Sequence, residues 1–138
     1  MSAEENKAVI RRLIEEVFNK GNMAIVDECT AADFVHHAAA LELKGPELVK
    51  QLVTMLRTAF PDLHFTIDDI VAEGDIVAHR FTYQGTFKGE MMGIAPTGKR
   101  FTQTAAAFTR FADGKQAEAW QYGDSLTFYQ QLGVSPPG

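Results

Sequence analysis

Cysteine is almost absent from this sequence. Cys29 is the single cysteine among 138 residues, so no disulfide can form within the chain, and a reducing, cytoplasmic location is predicted. No stretch approaches the roughly 20 apolar residues of a membrane span, and the polar N-terminus has no apolar run of signal-peptide length. Lysine and arginine number 13 against 18 acidic residues, which gives a net charge of −5 and no basic stripe. We therefore expect neither nucleic acid nor a membrane as a partner.

The length and composition indicate a single domain that spans residues 1–138. Hydrophobic residues make up 46% of the chain and charged residues 22%, which suits one packed core. Phenylalanine occurs ten times, against one tryptophan and three tyrosines. This bias toward purely apolar rings indicates an interior that can hold an apolar cavity.

The first 60 residues carry helical periodicity. Apolar residues recur at helical spacing before Gly21, which predicts a first helix over 3–20. A shorter helix is predicted over 23–28 and a short strand or extended segment over 33–38. Gly45-Pro46 opens a third helix, because proline is favoured in the first helical turn, and Pro61 ends it.

After Pro61 the apolar period changes to two, which is typical of strands. Strands are predicted over 63–72, 76–88, 99–111 and 116–123, and a last helix over 125–132. Gly74-Asp75 and Asp113-Gly114 are turn pairs between alternating runs and favour antiparallel hairpins. Helices followed by an antiparallel meander predict an α+β domain with the helices on one face of a curved sheet.

Three segments carry a resemblance to a known family. They are FNKGNMAIVDECTAADFVHH near the N-terminus, YQGTFKGEMMGIAPTGKRF in the centre and FADGKQAEAWQYGDSLTFYQQLG near the C-terminus. Together they resemble the SnoaL-like polyketide cyclases of the nuclear transport factor 2-like, ketosteroid-isomerase-like superfamily. The resemblance implies a cone-shaped curved antiparallel sheet with N-terminal helices on its concave face, a cystatin-like α+β barrel with an internal pocket. It does not fix the activity, because this fold carries isomerases, dehydratases, cyclases and non-enzymatic binders.

Asp124 is the leading candidate for chemistry. It follows Trp120 and Tyr122 on the strand alternation and stands at the junction with the last helix. As the N-cap of that helix it would stabilise the fold by about 1 kcal/mol. Beside an aromatic wall, its charged form would lose hydration and its pKa would rise toward neutrality, as general acid/base catalysis requires. The resemblance adds a carboxylate acid/base at this place in the cyclase motif, so we predict that Asp124 both caps and catalyses.

Arg80 and His37 are predicted to assist Asp124. Arg80 lies in the middle of a predicted strand. In the structural interpretation its side chain reaches solvent or forms an ion pair. In the functional one it stabilises an enolate oxygen or holds Asp124. His36 and His37 face opposite ways along an extended segment, and the family pattern F-V-x-H matches His37 as the pocket histidine. An ordinary hydrogen-bonded histidine is the alternative. His79 is expected to be structural or to lie at a subunit interface.

The remaining pocket residues are predicted from alternation and from small or adaptable side chains. The resemblance places a histidine of the cyclases where this chain has Ala107, which shares a strand face with Ala105 and would leave cavity volume there. Met91 and Met92, in a glycine-rich connection, either line the pocket mouth or anchor the loop. The predicted substrate-binding set is Trp120, Tyr122, Phe108, Ala107, Met91 and Met92. The chain has no HExxH, CxxC or GxGxxG motif, so neither a metal nor a cofactor is expected.

These residues predict a cofactor-independent enzyme that acts on an apolar, carbonyl-bearing small molecule. Asp124 would take a proton next to a carbonyl, and the carbanion would attack a second carbonyl in an aldol cyclisation or be reprotonated in an isomerisation. A hydrolase or dehydratase with the same acid/base, and a non-catalytic small-ligand binder or dimerisation module, are the alternatives. A homodimer is predicted because Phe81, Tyr83 and His79 are more apolar than a solvated outer sheet face needs.

Overall fold

Six strands form one curved, open sheet in the computed structural model, which describes residues 2–38 and 41–136. The strands are β1 (Thr30–Ala38), β2 (Leu41–Lys44), β3 (His64–Glu73), β4 (Ile76–Thr86), β5 (Arg100–Ala112) and β6 (Lys115–Gly123). Their order across the sheet is β2-β1-β6-β5-β4-β3. Neighbouring strands are antiparallel except β1 and β6, which run parallel.

The helices of the described chain are α1 (Ala3–Arg12), α2 (Ala24–Cys29), α3 (Gly45–Ala59) and α4 (Ser125–Leu132). The α1 helix begins with a capping box: the Ser2 hydroxyl accepts the Glu5 amide, and the Glu5 carboxylate accepts the Ser2 amide. It continues without a break as a π-helical segment, Leu13–Phe18. None of the helices described is long and apolar enough to cross a membrane.

Two-residue turns set the register of the hairpins. Gly74 and Asp75 connect β3 to β4, and Asp113 and Gly114 connect β5 to β6. Asp113 and Gly114 have φ angles of 52° and 76°, as the favoured hairpin turn with two left-handed residues requires. Aspartate tolerates that conformation better than most residues, and glycine adopts it freely.

The elements predicted from periodicity are confirmed, with shifts of one to three residues at most ends of the regular elements. The prediction omitted β2, a strand of four residues, and the parallel pairing of β1 with β6. It also treated residues 3–20 as one regular helix, whereas the second half is π-helical. The sheet stays unclosed between β2 and β3, so the cone is an open half-barrel.

The odd-numbered residues of β4 and β5 form the inner face of the sheet, against the helices. Val77, Ala105 and Phe111 are buried there, and the even-numbered residues between them are more exposed. Phe81 and His79, predicted on the outer face, are 3% and 8% exposed and belong to the inner set. That prediction was wrong because the apolar set of an alternating strand is the one that packs on the helices.

Candidate active site

A cavity of about 540 Å³ lies between the N-terminal helices and the inner face of the sheet. This volume is in the range of small-molecule binding sites. No lysine or arginine is among the described residues that line it. Its walls are mainly apolar and come from α1 and the π-helical segment, α3, the sheet and α4: Ile10, Leu13, Ile14, Val17, Phe18, Val49, Leu52, Leu56, Phe65, Phe81, Phe128 and Tyr129.

The π-helical segment supplies one wall of the cavity. The Asn19 amide donates to the carbonyl of Ile14, five residues back, at 3.0 Å. The wider turn changes which side chains point inward, and Leu13, Ile14, Val17 and Phe18 all line the cavity. Such π-helical turns are rare and frequently occur at functional sites.

Small side chains form the floor of the cavity on the sheet. Ala107 on β5 and Ala119 on β6 are 5% and 4% exposed, and both line the cavity. Ala107 lies opposite His79 on β4 and opposite Gln121 on β6. The prediction that Ala105 and Ala107 share a face is confirmed, because both are buried on the inner side.

Asp124 lines the cavity and caps α4. Its carboxylate accepts the hydroxyl of Thr127 and, at 3.0 Å, the backbone N–H of Thr127. These two hydrogen bonds, the hydroxyl first, hold the pKa of Asp124 below its ordinary value. The predicted rise of this pKa is wrong, because the side chain is exposed and its hydrogen bonds favour the charged form. The Asp124 carbonyl also accepts Nε2 of the buried Gln103 at 3.0 Å, which ties the start of α4 to β5.

Replacing Thr127 with valine should raise the pKa of Asp124 toward its ordinary value. Valine keeps the backbone N–H bond and removes the hydroxyl bond, which is the larger cause of the lowered pKa. Carbon-13 NMR titration of the carboxylate measures the shift. Thr104→Val, on the exposed outer side of β5, is the matched control and should leave the titration unchanged. An identical Asp124 titration in wild type and Thr127→Val would show that the hydroxyl does not control this carboxylate.

Trp120 and Tyr122 border the cavity, but their side chains are on the outer face of β6. Gln121 pairs with the inward Ala107 across the sheet, so residues 120 and 122 alternate to the opposite face. Tyr122 is accordingly 61% exposed. The strand ends at Gly123, and Asp124 reaches the cavity from the turn into α4 instead of from the alternation that the sequence suggested.

His37 also borders the cavity, and its Nδ1 lies 3.8 Å from Oε2 of Glu42. Its ring stacks on Trp120, with centroids 5.7 Å apart and an interplanar angle of 18°. Its Nε2 lies 2.8 Å from Oε2 of Glu118. The neighbouring His36 pairs with the inward Ala119, so the two histidines face opposite ways as predicted. By side-chain direction, His36 is therefore the inward histidine of the pair, although both line the cavity.

Four predicted site residues lie outside the cavity lining. Arg80 is on the outer face of β4 and is 56% exposed, where Nε and Nη2 bind the Asp69 carboxylate at 2.8 and 2.6 Å. Phe108 is 46% exposed on the outer face, since it alternates with the inward Ala107. Met91 is buried in the core as an anchor of the loop, and Met92 is 54% exposed. Arg80 therefore pairs with Asp69 and does not hold Asp124.

His79 is a buried residue of the cavity lining, which the sequence analysis did not predict. It lines the cavity, is 8% exposed, and stacks on Phe81 with ring centroids 5.1 Å apart. Burial lowers the pKa of His79 to about 4, so the ring is neutral at physiological pH. Along β4, His79 alternates in phase with Val77, Phe81 and Tyr83, which form the apolar face of the strand. This alternation is the sequence signal that would have placed His79 on the inner face.

The part of the chain that forms the cavity and the cap of α4 matches one protein family. The family model of the SnoaL-like polyketide cyclases covers residues 8–132. This chain belongs to that family. The match runs from α1 to the end of α4, so the cavity walls, the alanine floor and the Asp124 cap all fall inside it. The resemblance noted in the three sequence segments is thereby confirmed.

Relatives of this SnoaL-like chain align over most of their length. It is 31% identical over 142 residues to the aklanonic acid methyl ester cyclase of Streptomyces galilaeus, which covers 96% of this chain and 94% of that protein. It is 29% identical over 121 residues to the nogalonic acid methyl ester cyclase of Streptomyces nogalater, covering 84% and 89%. The structure of TsrD from Streptomyces laurentii superposes with a TM-score of 0.87 at 27% identity, covering 97% and 98%.

Proposed function

We propose that this SnoaL-like chain is a cofactor-independent cyclase that uses Asp124 as its acid/base on an apolar, carbonyl-bearing small molecule. The observation that carries the proposal is a carboxylate at the wall of an apolar cavity of about 540 Å³. The lining has no described lysine or arginine to pair with a substrate anion. A lining of this kind suits an uncharged substrate. The two cyclases from Streptomyces that this chain resembles are named for methyl esters.

The proposed reaction is an intramolecular aldol closure. The Asp124 carboxylate removes a proton from a carbon next to a carbonyl, and the electron pair moves into an enolate. The enolate carbon attacks a second carbonyl of the same molecule, so that one carbon–carbon bond forms and one carbonyl π bond breaks. The resulting alkoxide takes the proton back from Asp124. Substrate and product have the same mass, and no oxidant or reductant is needed.

Two tyrosine hydroxyls are the proposed stabilisers of the enolate oxygen, in place of Arg80. Tyr83 and Tyr129 both line the cavity. Burial raises the pKa of Tyr83 to about 12 and also raises that of Tyr129, so both hydroxyls keep their protons at neutral pH. A hydrogen-bond donor in an apolar site stabilises a developing oxyanion strongly, because few water molecules compete with it.

The exposure of Asp124 favours a second candidate, a non-catalytic binder of small ligands. The carboxylate is already engaged by Thr127, and its lowered pKa makes it a weaker base than one near neutrality. In this alternative, Asp124 only caps α4 and the cavity stores or carries its ligand. The two candidates differ in whether the protein removes a proton from carbon.

Exchange in deuterium oxide separates the two candidates. Aklanonic acid methyl ester and nogalonic acid methyl ester are incubated with the protein, and chromatography with mass spectrometry follows both products and deuterium uptake. The cyclase proposal expects a new isomer, or at least protein-dependent deuterium uptake next to a carbonyl, and loss of both in Asp124→Asn. Saturable binding of either ester without exchange or isomer would support the binder and contradict the cyclase.

We propose, as a separate point, that the chain forms a homodimer through the outer face of the sheet. One row of residues crosses five strands there: Val71, Ala78, Phe108, Trp120 and His37. Val71 and Phe108 are 64% and 46% exposed, which is costly for a row of apolar side chains in water. A second copy of this chain would cover it. This row replaces Phe81, Tyr83 and His79, which lie on the inner face of the sheet and line the cavity.

Light scattering should give about twice the chain mass of 15.2 kDa, and Phe108→Lys should return the mass to one chain. The lysine would place an unpaired charge in the centre of the buried row. Leu126→Lys is the matched control, because Leu126 is 55% exposed but lies on α4, away from the row. A wild-type mass of one chain would contradict the dimer.

A cytoplasmic location stays a prediction.

A further inference from the structure

The hydrogen-bond ladder between β5 and β6 ends just before Asp124. Ala105 on β5 and Gly123 on β6 are the last pair of that ladder. A Cβ added at Gly123 would lie 3.2 Å from the Cβ of Ala105, so the two strands are in close contact at this pair. Asp124 then leaves the sheet and begins α4. From this point the ladder no longer supplies backbone partners that would hold Asp124 in place.

The side chain of Gln103 supplies a partner where the ladder ends. Gln103 is 7% exposed, and its Nε2 donates to the Asp124 carbonyl at 3.0 Å. The same carbonyl accepts the backbone N–H of Phe128, the first bond of α4, at 3.2 Å. Two donors from different elements therefore fix the backbone of Asp124 at the point from which its side chain departs.

Gln103 is itself held in one orientation. Its Oε1 accepts Nε2 of Gln131 at 3.2 Å, and Oε1 of Gln131 accepts the backbone N–H of Thr102 at 2.9 Å. A buried amide that uses its oxygen and its nitrogen in opposite directions has little freedom to turn. The bond from Gln103 to Asp124 is therefore made by a rigid support on β5.

We propose that Gln103 is the positioning residue of Asp124, and that its bond to the Asp124 carbonyl sets the direction in which the carboxylate enters the cavity. Gln103 is not among the described residues that line the cavity, so it would act on a substrate only through Asp124. The inference rests on the proposed function, because it assigns a support to the proposed acid/base. Small errors in the placement of a reacting group cost large factors in rate, since the reaction needs a near-attack geometry.

The first test follows Asp124 itself and needs no substrate. Gln103→Met keeps a side chain of similar length and removes both hydrogen bonds, and Gln103→Leu is the second variant in case the methionine protein does not fold. Thermal unfolding checks both. In a folded variant the Thr127 amide should exchange in deuterium oxide roughly fivefold faster, because the carboxylate that accepts it is no longer held. For the same reason the carbon-13 titration should show a rise in the pKa of Asp124 toward its ordinary value.

Thr97→Val is the matched control for a general loosening of α4. The Thr97 hydroxyl donates to the Leu132 carbonyl at 2.6 Å and so ties down the opposite end of the helix. Its removal leaves the bond from Gln103 to Asp124 intact. Thr97→Val should therefore keep the wild-type exchange of the Thr127 amide and the wild-type titration of Asp124.

Turnover on the ester that the wild-type protein cyclises separates positioning from stability. Gln103→Met should lower kcat roughly 10- to 100-fold and leave KM within about twofold. In an Asp124→Asn background the same change should cost less than about twofold, because the group that Gln103 positions is already gone. A role in stability alone would lower kcat by the same factor in both backgrounds.

Four results would overturn the proposal. They are unchanged Thr127 exchange and Asp124 titration in a folded Gln103 variant, equal changes in Thr97→Val, wild-type kcat in Gln103→Met, and an equal loss of kcat in the Asp124→Asn background. Full turnover by Asp124→Asn would instead end the acid/base proposal, and the exchange and titration results would still decide whether Gln103 positions the carboxylate.

Discussion

Asp124→Asn should reduce turnover roughly 10²–10⁴-fold, the usual contribution of a general acid/base. The free energy of unfolding should change by less than about 1 kcal/mol, because asparagine is as good an N-cap as aspartate. The Oδ1 bond from the Thr127 amide survives the change, whereas the carboxylate that would accept the carbon-bound proton does not. Turnover is measured on the ester that the wild-type protein cyclises, and stability by urea unfolding.

Two further variants give this result its meaning. Asp124→Ala should lose both the cap and the activity, so its unfolding midpoint should fall where that of Asp124→Asn does not. Asp69→Asn is the matched carboxylate control, since Asp69 pairs with Arg80 on the outer face. It should leave turnover unchanged. Full activity in a folded Asp124→Asn protein would show that Asp124 is a cap only, and the lowered pKa would then need no catalytic explanation.

Stability should fall as pH is lowered from about 6.5 toward 4, and His79 should account for part of the loss. The pKa of His79 is lowered from 6.5 to about 4 in the folded chain, because burial penalises the charged ring. Between these values the unfolded chain binds a proton that the folded chain does not. The free energy of unfolding that depends on a neutral His79 is therefore fully present above pH 6.5. It is lost progressively below that pH, by on the order of 1–2 kcal/mol at pH 5.

Urea unfolding at pH 7 and pH 5 measures this contribution. The loss between the two pH values should be smaller in His79→Leu than in wild type, whatever the stability of the variant at pH 7. Burial lowers the pKa of His36 as well, so part of the pH dependence should remain in the variant. His64→Leu, on the exposed edge strand β3, should keep the full wild-type loss. Equal losses in all three proteins would contradict the buried, neutral state of His79.

Local patterns in the sequence located most of the elements, with ends that differ from the structure by up to three residues. The Asp113-Gly114 turn and the cap at Asp124 each depend on residues within three positions of one another. Apolar periodicity located the helices and long strands for the same reason, since it records which side of an element is buried. The strand β2 was not predicted, because four residues show too little alternation of apolar and polar side chains to identify a strand.

Assigning side chains to the cavity required the assembled sheet. Alternation along β4 separates Arg80 from His79, but by itself it does not say which set packs on the helices. Our reading placed His79 outside and Arg80 at the site, and the fold has the reverse. The same ambiguity put Phe108 in a pocket wall, although it pairs with Trp120 on the outer face.

The sequence by itself determined the α+β class, the order of the elements, the turns and the helix cap at Asp124. Those features are decided by interactions between near neighbours along the chain. Only the tertiary structure decided that His79 faces the alanine floor, that Arg80 pairs with Asp69, and that Asp124 enters the cavity from a turn. The first two depend on the register between neighbouring strands, and a shift of one residue would move His79 and Arg80 to the opposite faces. The third depends on how α4 packs at the end of the sheet.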